Sequence, residues 1–279
     1  MGSVEVRISS AQNPRFRAAL ELREGRARRR QGRILIDGLR EIGRALDAGV
    51  VPLDAWLDPD RLADSSGSAV SEVEGLIGRL RSAGCPIIDA NARLIDRLGY
   101  GQRSTGLVLV AETPARTLEE LDVRADSLIG VVEGVEKPGN LGAILRSADG
   151  AGVSALLVAD PATDIFNPNV IRASLGTVFS IPIAVASVAE TMAWLNAGSV
   201  RIVTARVNAT TDYTDLDMRR PVAIVLGNEA EGLGDAWSGP EVTAVRVPML
   251  GVADSLNVSV TAGILFYEAL RQRRASGAP

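Results

Sequence analysis

Residues 128–146 read LIGVVEGVEKPGNLGAILR, an apolar run of strand length followed by a polar stretch that opens a helix. The pattern predicts a strand over Leu128–Val132 and a helix that Asn140 can cap. Four more such runs follow, at Ala155–Ala159, Val200–Ala205, Val222–Leu226 and Val242–Val247. Because helical patterns fill the gaps between them, we predict an α/β fold with a mostly parallel sheet and helices on both faces.

The last helix has the clearest pattern of the second half. One buried stripe is predicted from Val258, Ala262, Leu265, Phe266, Ala269 and Leu270. The basic residues Arg271, Arg273 and Arg274 suit the negative end of its dipole. We therefore expect a helix that packs on the sheet and ends near Arg274.

The first half alternates in the same way and is predicted to be a second, smaller α/β domain. Strand and helix patterns occur at Arg33–Ile36, Leu39–Ala48, Leu53–Leu57, Val70–Ser82, Pro86–Asp89 and Leu107–Ala111. A chain of 279 residues favours two domains. Residues 113–126 have several charges and no long apolar run, which is typical of a connector. We place the domains at 1–112 and 127–279, with 113–126 as the linker.

The composition excludes several classes of protein. The single cysteine, Cys85, excludes a disulfide within the chain, and the absence of histidine removes the usual zinc and iron ligand sets. Mechanisms that need a Ser-His-Asp or Cys-His arrangement are excluded for the same reason. The apolar runs are too short to cross a bilayer, and the N-terminus does not resemble a secretory signal. We expect a cytoplasmic protein with no metal and no membrane partner.

Although the net charge of the chain is −4, the residues near its N-terminus form a basic arm. Between residues 15 and 33 the acids are Glu21 and Glu24, and the eight arginines are Arg15, Arg17, Arg23, Arg26, Arg28, Arg29, Arg30 and Arg33. A charge run is usually a solvated helical face, but this one lacks balancing acids at helical spacing. The pattern therefore favours binding to nucleic-acid phosphates.

Polar clusters follow three of the predicted strands, at the sheet edge where ligands of parallel α/β folds bind. They are Glu136–Arg146, Leu226–Leu233, and Val247–Gly251 together with Ser255–Ser259. Each alone could be a helix cap or a plain turn. Together they predict one convergent site. Neither a G-x-G-x-x-G turn nor a P-loop is present, and Lys137 is the only lysine, which disfavours an ordinary dinucleotide or NTP site.

These clusters resemble, in order, the three motifs of the SpoU or TrmH-like family of RNA ribose 2′-O-methyltransferases, in the SPOUT superfamily. The resemblance covers Ile129–Arg273, and Asn167–Ser180 is similar to the segment between the first two motifs. The N-terminal half resembles, more loosely, a substrate-binding domain of ribosomal-protein L30e type, through Asn13-Pro14 and Ile34–Arg40. The resemblance implies a deep trefoil knot, a homodimer and S-adenosylmethionine as cofactor. The residues that it implies for cofactor binding are Thr204, Ala205, Leu226, Gly227, Val247, Pro248, Met249, Leu250 and Leu256.

For catalysis the resemblance implies Asn140, Arg146, Glu229, Ser255 and Asn257. A guanidinium is not expected to lose its proton in a protein, so we expect Arg146 to stabilise the developing oxyanion and grip a phosphate. Asn140 and Glu229 would position Arg146 and the ribose, while Ser255 and Asn257 would hold substrate or cofactor. Glu229 as general base stays open.

The required 2′-hydroxyl makes the expected substrate RNA and not DNA. Ribosomal RNA is favoured over tRNA because two-domain members of the family mostly modify ribosomal RNA. The alternatives are a tRNA 2′-O-methyltransferase and a non-catalytic RNA-binding or assembly factor of the same fold. The expected RNA contacts are Arg15, Arg17, Arg26, Arg28, Arg29 and Arg30 of the basic arm.

Overall fold

The computed structural model describes residues 6–63, 68–100, 106–228 and 232–275. The strands are β1 (Val6–Ile8), β2 (Arg33–Asp37), β3 (Pro52–Leu57), β4 (Ile87–Ala90), β5 (Leu107–Glu112), β6 (Leu128–Glu133), β7 (Ala155–Ala159), β8 (Ile183–Ala186), β9 (Arg201–Ala205), β10 (Thr211–Asp212), β11 (Val222–Leu226) and β12 (Val242–Arg246). The helices are α1 (Pro14–Glu21), α2 (Gly25–Gln31), α3 (Leu39–Asp47), α4 (Pro59–Ala63), α5 (Ser68–Ser82), α6 (Ala92–Leu98), α7 (Pro138–Ala151), α8 (Pro168–Ala173), α9 (Thr177–Ser180), α10 (Val188–Ala197) and α11 (Val258–Ala275). They form two compact units, Met1–Pro114 with Ile165–Ser180, and Ala115–Asp164 with Ile181–Pro279.

The first unit has a mixed five-stranded sheet in the order β1-β4-β3-β5-β2. Strands β1, β4 and β3 are parallel, and β5 is antiparallel to both β3 and β2. Phe16 of α1 packs edge-on against Trp56 of β3, with ring centroids 5.8 Å apart, and both side chains are fully buried. The predicted smaller α/β half is therefore present, and its core lies between the sheet and the helices.

Residues 165–180 group with the first unit, which differs from the predicted single domain at 127–279. A guanidinium nitrogen of Arg44 donates to the carbonyl oxygen of Leu175 over 2.9 Å. Arg172 forms an ion pair of 3.4 Å with the buried carboxylate of Asp37. No sequence pattern showed this, because the contacts join residues more than 130 positions apart.

The second unit has a seven-stranded sheet in the order β10-β12-β9-β11-β6-β7-β8, and every pair is parallel. The predicted mostly parallel sheet is confirmed. Ile129 and Val131 of β6 join a core with Leu195 of α10. Gly130 points to the other face, where a Cβ would lie 2.9 Å from the ring of Phe266 on α11. Helices therefore cover both faces, as predicted.

The predicted linker at 113–126 is not a free connector, which corrects that boundary. Residues from Ala115 onward belong to the second unit. The backbone N–H of Val185 on β8 donates to the carbonyl oxygen of Arg116 over 3.2 Å, and Leu121 is buried in the sheet core. Most of the charges that made this segment look like a linker are exposed, and Arg116 is half-buried.

The predicted stripe of α11 is buried, except that Leu270 is only partly so. Arg273 near its end donates to the carbonyl oxygens of Met218 and Ser127 at 3.0 and 3.1 Å, which fixes the helix to the sheet. The trefoil knot stays a prediction. Among the helices of the described ranges, none is long and apolar enough to cross a membrane.

Candidate active site

A cavity of about 470 Å³ lies in the second unit at the carboxyl ends of β9, β11 and β12. Ala205 and Leu226 are the last residues of β9 and β11, and Val247 follows the end of β12. The remaining lining comes from the residues that follow β9 and β11, from β12 and the segment after it, and from α11, and comprises Arg206, Val207, Asn208, Gly227, Asn228, Gly232, Leu233, Val245, Met249, Asp254, Ser255, Leu256, Val258, Thr261 and Leu265. The second and third predicted motifs therefore form one pocket.

The turn after β11 is folded tightly on itself. The backbone N–H of Gly232 donates to the carbonyl oxygen of Asn228 over 3.0 Å. Gly232 has φ +72°, a conformation that favours glycine. Glu229, one of the predicted catalytic residues, lies outside the described residues, so its role stays a prediction.

Two asparagines join the three motifs. The side-chain amide of Asn228 donates to the carbonyl oxygen of Gly134 and to a carboxylate oxygen of Glu136, each over 3.2 Å. The side-chain amide of Asn257 donates to the side-chain oxygen of Asn140, also over 3.2 Å. The loop between β6 and α7 is thus linked to the second motif, and the first turn of α7 is linked to the third.

Asn257 also caps the N-terminus of α11. Its side-chain oxygen accepts from the backbone N–H of Ser259 at 2.9 Å and from the Ser259 hydroxyl at 2.6 Å. The simple interpretation of this residue as a helix cap is therefore correct, and it holds together with the contact to Asn140. Ser255, two residues earlier, lines the cavity.

Six of the nine residues implied for cofactor binding line the cavity, namely Ala205, Leu226, Gly227, Val247, Met249 and Leu256. The other three do not. Thr204 is fully buried behind Ala205, and its hydroxyl has no hydrogen-bond partner within the described part of the chain. Pro248 is absent from the lining, and Leu250 is 100% exposed.

Arg146 does not reach the cavity of its own chain. It lies on α7, its side chain is exposed, and it does not line the pocket. Within the described ranges it has no hydrogen bond or ion pair. Ser255 lines the pocket and Asn140 is hydrogen-bonded to Asn257, while Arg146 does not line the pocket, so one protomer presents an incomplete set of the predicted catalytic residues.

Four polar residues of the pocket were not predicted from the sequence, namely Arg206, Asn208, Asp254 and Thr261. Arg206 directly follows the last residue of a predicted strand, and Asp254 directly precedes Ser255. The rule that strand exits carry site residues could have selected Arg206, and the position of Asp254 beside the third motif could have selected Asp254. Nothing in the spacing of Asn208 or Thr261 indicated a place in the pocket.

The six arginines of the basic arm that were expected to contact RNA differ in their surroundings. Arg17, Arg26 and Arg29 are exposed on α1 and α2 and make no ion pair with another described residue. Two others are already paired, Arg15 with Asp54 and Arg30 with Glu21, the latter at 2.7 Å. Of the six arginines expected to contact RNA, Arg17, Arg26 and Arg29 are thus exposed and make no ion pair within the described ranges, which suits them to meet phosphates.

Arg28 corrects the predicted RNA-binding set. Its side chain is buried, and one guanidinium nitrogen donates to the carbonyl oxygens of Leu22 and Arg23 at 2.8 and 2.9 Å. Buried donors of this kind satisfy the open carbonyls that follow a helix. Arg28 therefore connects α1 to α2, and this contact with the chain's own backbone replaces the expected contact with RNA.

Comparison with known proteins gives one family. The model of the SpoU rRNA Methylase family matches residues 127–267. A 23S rRNA (uridine(2479)-2′-O)-methyltransferase from Streptomyces viridochromogenes is 33% identical over 274 residues, covering 96% of this chain and 92% of that protein.

Two solved structures match nearly the whole chain. An RNA 2′-O ribose methyltransferase superposes with a TM-score of 0.83 at 41% identity, covering 96% of this chain and 100% of that one. An AdoMet-bound rRNA methyltransferase from Sinorhizobium meliloti superposes with a TM-score of 0.85 at 27% identity, covering 95% and 97%. The likeness therefore includes both units.

Proposed function

The chain belongs to the SpoU rRNA methylase family, and we propose that it transfers a methyl group from S-adenosylmethionine to a ribose 2′-hydroxyl of ribosomal RNA. The observation that carries the proposal is the pocket after β9, β11 and β12, where the second and third motifs converge and the first is hydrogen-bonded to both. A surface that merely bound RNA would not need this pocket.

The cavity suits S-adenosylmethionine in size and chemistry. Its volume of about 470 Å³ lies within the range of about 300–1,000 Å³ usual for small-molecule sites. Leu226, Met249 and Leu256 offer apolar contacts for an adenine ring, and the glycine-rich turn brings backbone groups to the same wall. When bound, the cofactor supplies an electrophilic methyl group on its sulfonium sulfur.

The residues of the chain would have to orient and activate the hydroxyl. In the transfer the C–O bond to the methyl group forms as the methyl C–S bond breaks, the sulfur keeps that electron pair, and the hydroxyl proton passes to solvent. The Arg146 guanidinium stabilises the negative charge that develops on the 2′-oxygen and holds the neighbouring phosphate. Asn140 and Glu229 position Arg146 and the ribose, while Ser255 and Asn257 hold substrate or cofactor at the mouth of the pocket.

The working unit is proposed to be a homodimer. Arg146 lies outside the pocket of its own chain, so a second copy has to supply it. Apolar side chains are exposed on α11 and on the segment before it, including Val260 and Tyr267 at about half exposure and Leu250 and Val252 at full exposure. A second protomer that covers them would remove apolar surface from water.

Ribosomal RNA is the proposed substrate class because the relative from Streptomyces and the structure from Sinorhizobium are named for it. Arg17, Arg26 and Arg29 supply affinity for the RNA backbone without reading its sequence. In this proposal the first unit carries the RNA-binding surface and the second unit holds the methyltransferase pocket. The enzyme works in the cytoplasm, where ribosomal RNA is modified, and DNA is not a substrate.

Methyl incorporation tests the proposal. Purified protein is incubated with methyl-labelled S-adenosylmethionine and either total ribosomal RNA or total tRNA from cells that lack the gene. We expect label in ribosomal RNA alone. Label in tRNA alone would make the protein a tRNA methyltransferase, and cofactor binding without label in either RNA would indicate a non-catalytic RNA-binding protein.

A further inference from the structure

The peptide group between Leu233 and Gly234 is held from both sides. Its carbonyl oxygen accepts from a guanidinium nitrogen of Arg206 over 3.3 Å. Its N–H donates to a carboxylate oxygen of Glu133 over 3.2 Å. The C=O and N–H of a trans peptide lie in its plane and point in opposite directions, so Arg206 and Glu133 bind opposite edges of one peptide group and oppose its rotation.

Arg206 holds the rest of the same turn as well. Its second terminal nitrogen donates to the carbonyl oxygens of Gly234 and Trp237, each over 3.3 Å, and to the hydroxyl of Ser238 over 3.2 Å. Its own backbone N–H donates to the carbonyl oxygen of Val245 over 2.9 Å. One guanidinium thus connects the exit of β9 to four groups between residues 233 and 238.

The turn that Arg206 holds is a wall of the pocket. Gly232 and Leu233 line the cavity, and Trp237 is buried in the core beneath them. Arg206 itself lines the cavity. An arginine in such a place could instead bind a phosphate or a carboxylate of a ligand, but both terminal nitrogens already donate to the turn.

We propose that Arg206 and Glu133 are positioning residues that fix the Leu233–Gly234 peptide and thereby set the shape of the cofactor pocket. The inference rests on the proposed function, because it takes the cavity to be the S-adenosylmethionine site. Neither residue has to touch the reacting atoms. The pair acts by preventing the turn from relaxing into the space that the cofactor needs.

The first test measures the turn without cofactor. In hydrogen exchange on the full-length, cofactor-free chain, Arg206→Met should speed exchange across residues 232–238, and Arg206→Lys should restore part of the protection. Arg201→Met is the matched control, because Arg201 begins β9, the strand that Arg206 directly follows, and does not line the pocket. Unchanged exchange in Arg206→Met would overturn the proposal.

The second test measures cofactor affinity by calorimetry. Loss of hydrogen bonds to a charged group predicts binding of S-adenosylmethionine to Arg206→Met that is weaker by about tenfold or more. Glu133→Ala should weaken it as well, and the double variant should lose less than the sum, because both residues hold one peptide. Additive losses would show that the two act separately and would contradict the paired role.

A third readout separates positioning from substrate contact. The KM for cofactor should rise in Arg206→Met, while kcat at saturating cofactor and the salt dependence of RNA binding stay near the wild-type values. A salt slope lowered by about one unit with normal cofactor affinity would assign Arg206 to an RNA phosphate. If wild-type protein binds no S-adenosylmethionine, the proposed function fails, and the exchange result still decides the role of Arg206.

Discussion

Gly227 lies so close to Gly232 that a Cβ atom on Gly227 would be 2.3 Å from the carbonyl oxygen of Gly232. The same atom would be 2.7 Å from the backbone nitrogen of Leu233. No side chain fits between these two segments of backbone, so the turn after β11 closes tightly only with glycine at position 227. Because both glycines line the pocket, this contact shapes the site as well as the turn.

Gly227→Ala should therefore impair cofactor binding. The added methyl has to push the backbone of the turn apart, at a cost of about 1–3 kcal/mol. We expect the affinity for S-adenosylmethionine to fall by about tenfold or more, measured by calorimetry. Gly251→Ala is the matched control, since a Cβ there meets nothing within 4 Å. Equal affinities for the two variants would show that the close contact does not shape the pocket.

Much of the fold was predictable because strand runs are local in sequence. Leu128–Val132, Val222–Leu226 and Ala155–Ala159 form strands within one residue of the predicted bounds, since each is a short run of mostly branched apolar residues. The strand order was not predictable. It places β11 between β6 and β9, and only tertiary contacts decide that.

The site was predictable in its polypeptide segments and less so in its contacts. Strand exits identified Gly227 and Ser255, because ligands bind at those ends of a parallel sheet. The hydrogen bond from Asn257 to Asn140 spans 117 positions of the sequence. The hydrogen bonds from Arg206 to the turn could not be predicted from residue spacing either. The burial of Arg28 also escaped prediction, since a run of arginines gives no sign of which one turns inward.

Arg146→Ala should abolish methyl transfer and leave cofactor affinity within a few-fold, because the exposed guanidinium lies outside the pocket of its own chain. Arg146→Lys keeps the charge and loses the planar fork, so a severe defect is expected there too. Single-turnover rates and calorimetry measure the two effects. Arg219→Ala is the control, since Arg219 is an exposed arginine that pairs with Asp217.

The same rates test the division of roles with Glu229. Glu229→Gln keeps the size of the side chain and removes its basicity, so it should retain a substantial share of activity if Glu229 only positions the substrate. The rate should then keep rising above neutral pH. A rate as low as that of Arg146→Ala, with cofactor and RNA still bound, would make the carboxylate the general base.

Replacing Arg17, Arg26 and Arg29 together with Ala should weaken RNA binding and flatten its salt dependence. Each lost phosphate contact lowers the log–log slope by about 0.7–0.9, so a fall of about 2–3 is expected in filter-binding titrations. Arg79→Ala on α5 is the control, because that arginine pairs with Asp47. Arg28→Ala should mainly reduce stability, since it removes a buried donor. An unchanged slope in the triple variant would show that this surface does not bind RNA.

Asp37 should make the first unit less stable as the pH rises. Burial raises the pKa of its carboxyl above 3.8, although the N–H of Tyr100 and the charge of Arg172 act in the opposite direction. The folded state then binds the proton more tightly than the unfolded state. The stabilisation is complete below about pH 4 and is lost as the pH rises through the raised pKa.

Urea denaturation at several pH values between about 4 and 7 measures this effect. Asp37→Asn should show a smaller fall in the free energy of unfolding over that range. Some fall should remain, because burial also raises the pKa of Glu41. Asp47→Asn is the exposed control and should follow the wild-type profile. A steeper fall in Asp37→Asn would contradict the assigned sign.

The central claim is that the pocket serves methyl transfer to a ribose 2′-oxygen of ribosomal RNA. Its most direct test maps the labelled nucleotide in ribosomal RNA and then uses a synthetic fragment with that one ribose replaced by 2′-deoxyribose. We predict one nucleotide that carries the label as a 2′-O-methyl ribose, and no transfer to the deoxy fragment, which should still bind. Label on a base, or transfer to the deoxy fragment at an undiminished rate, would contradict the account.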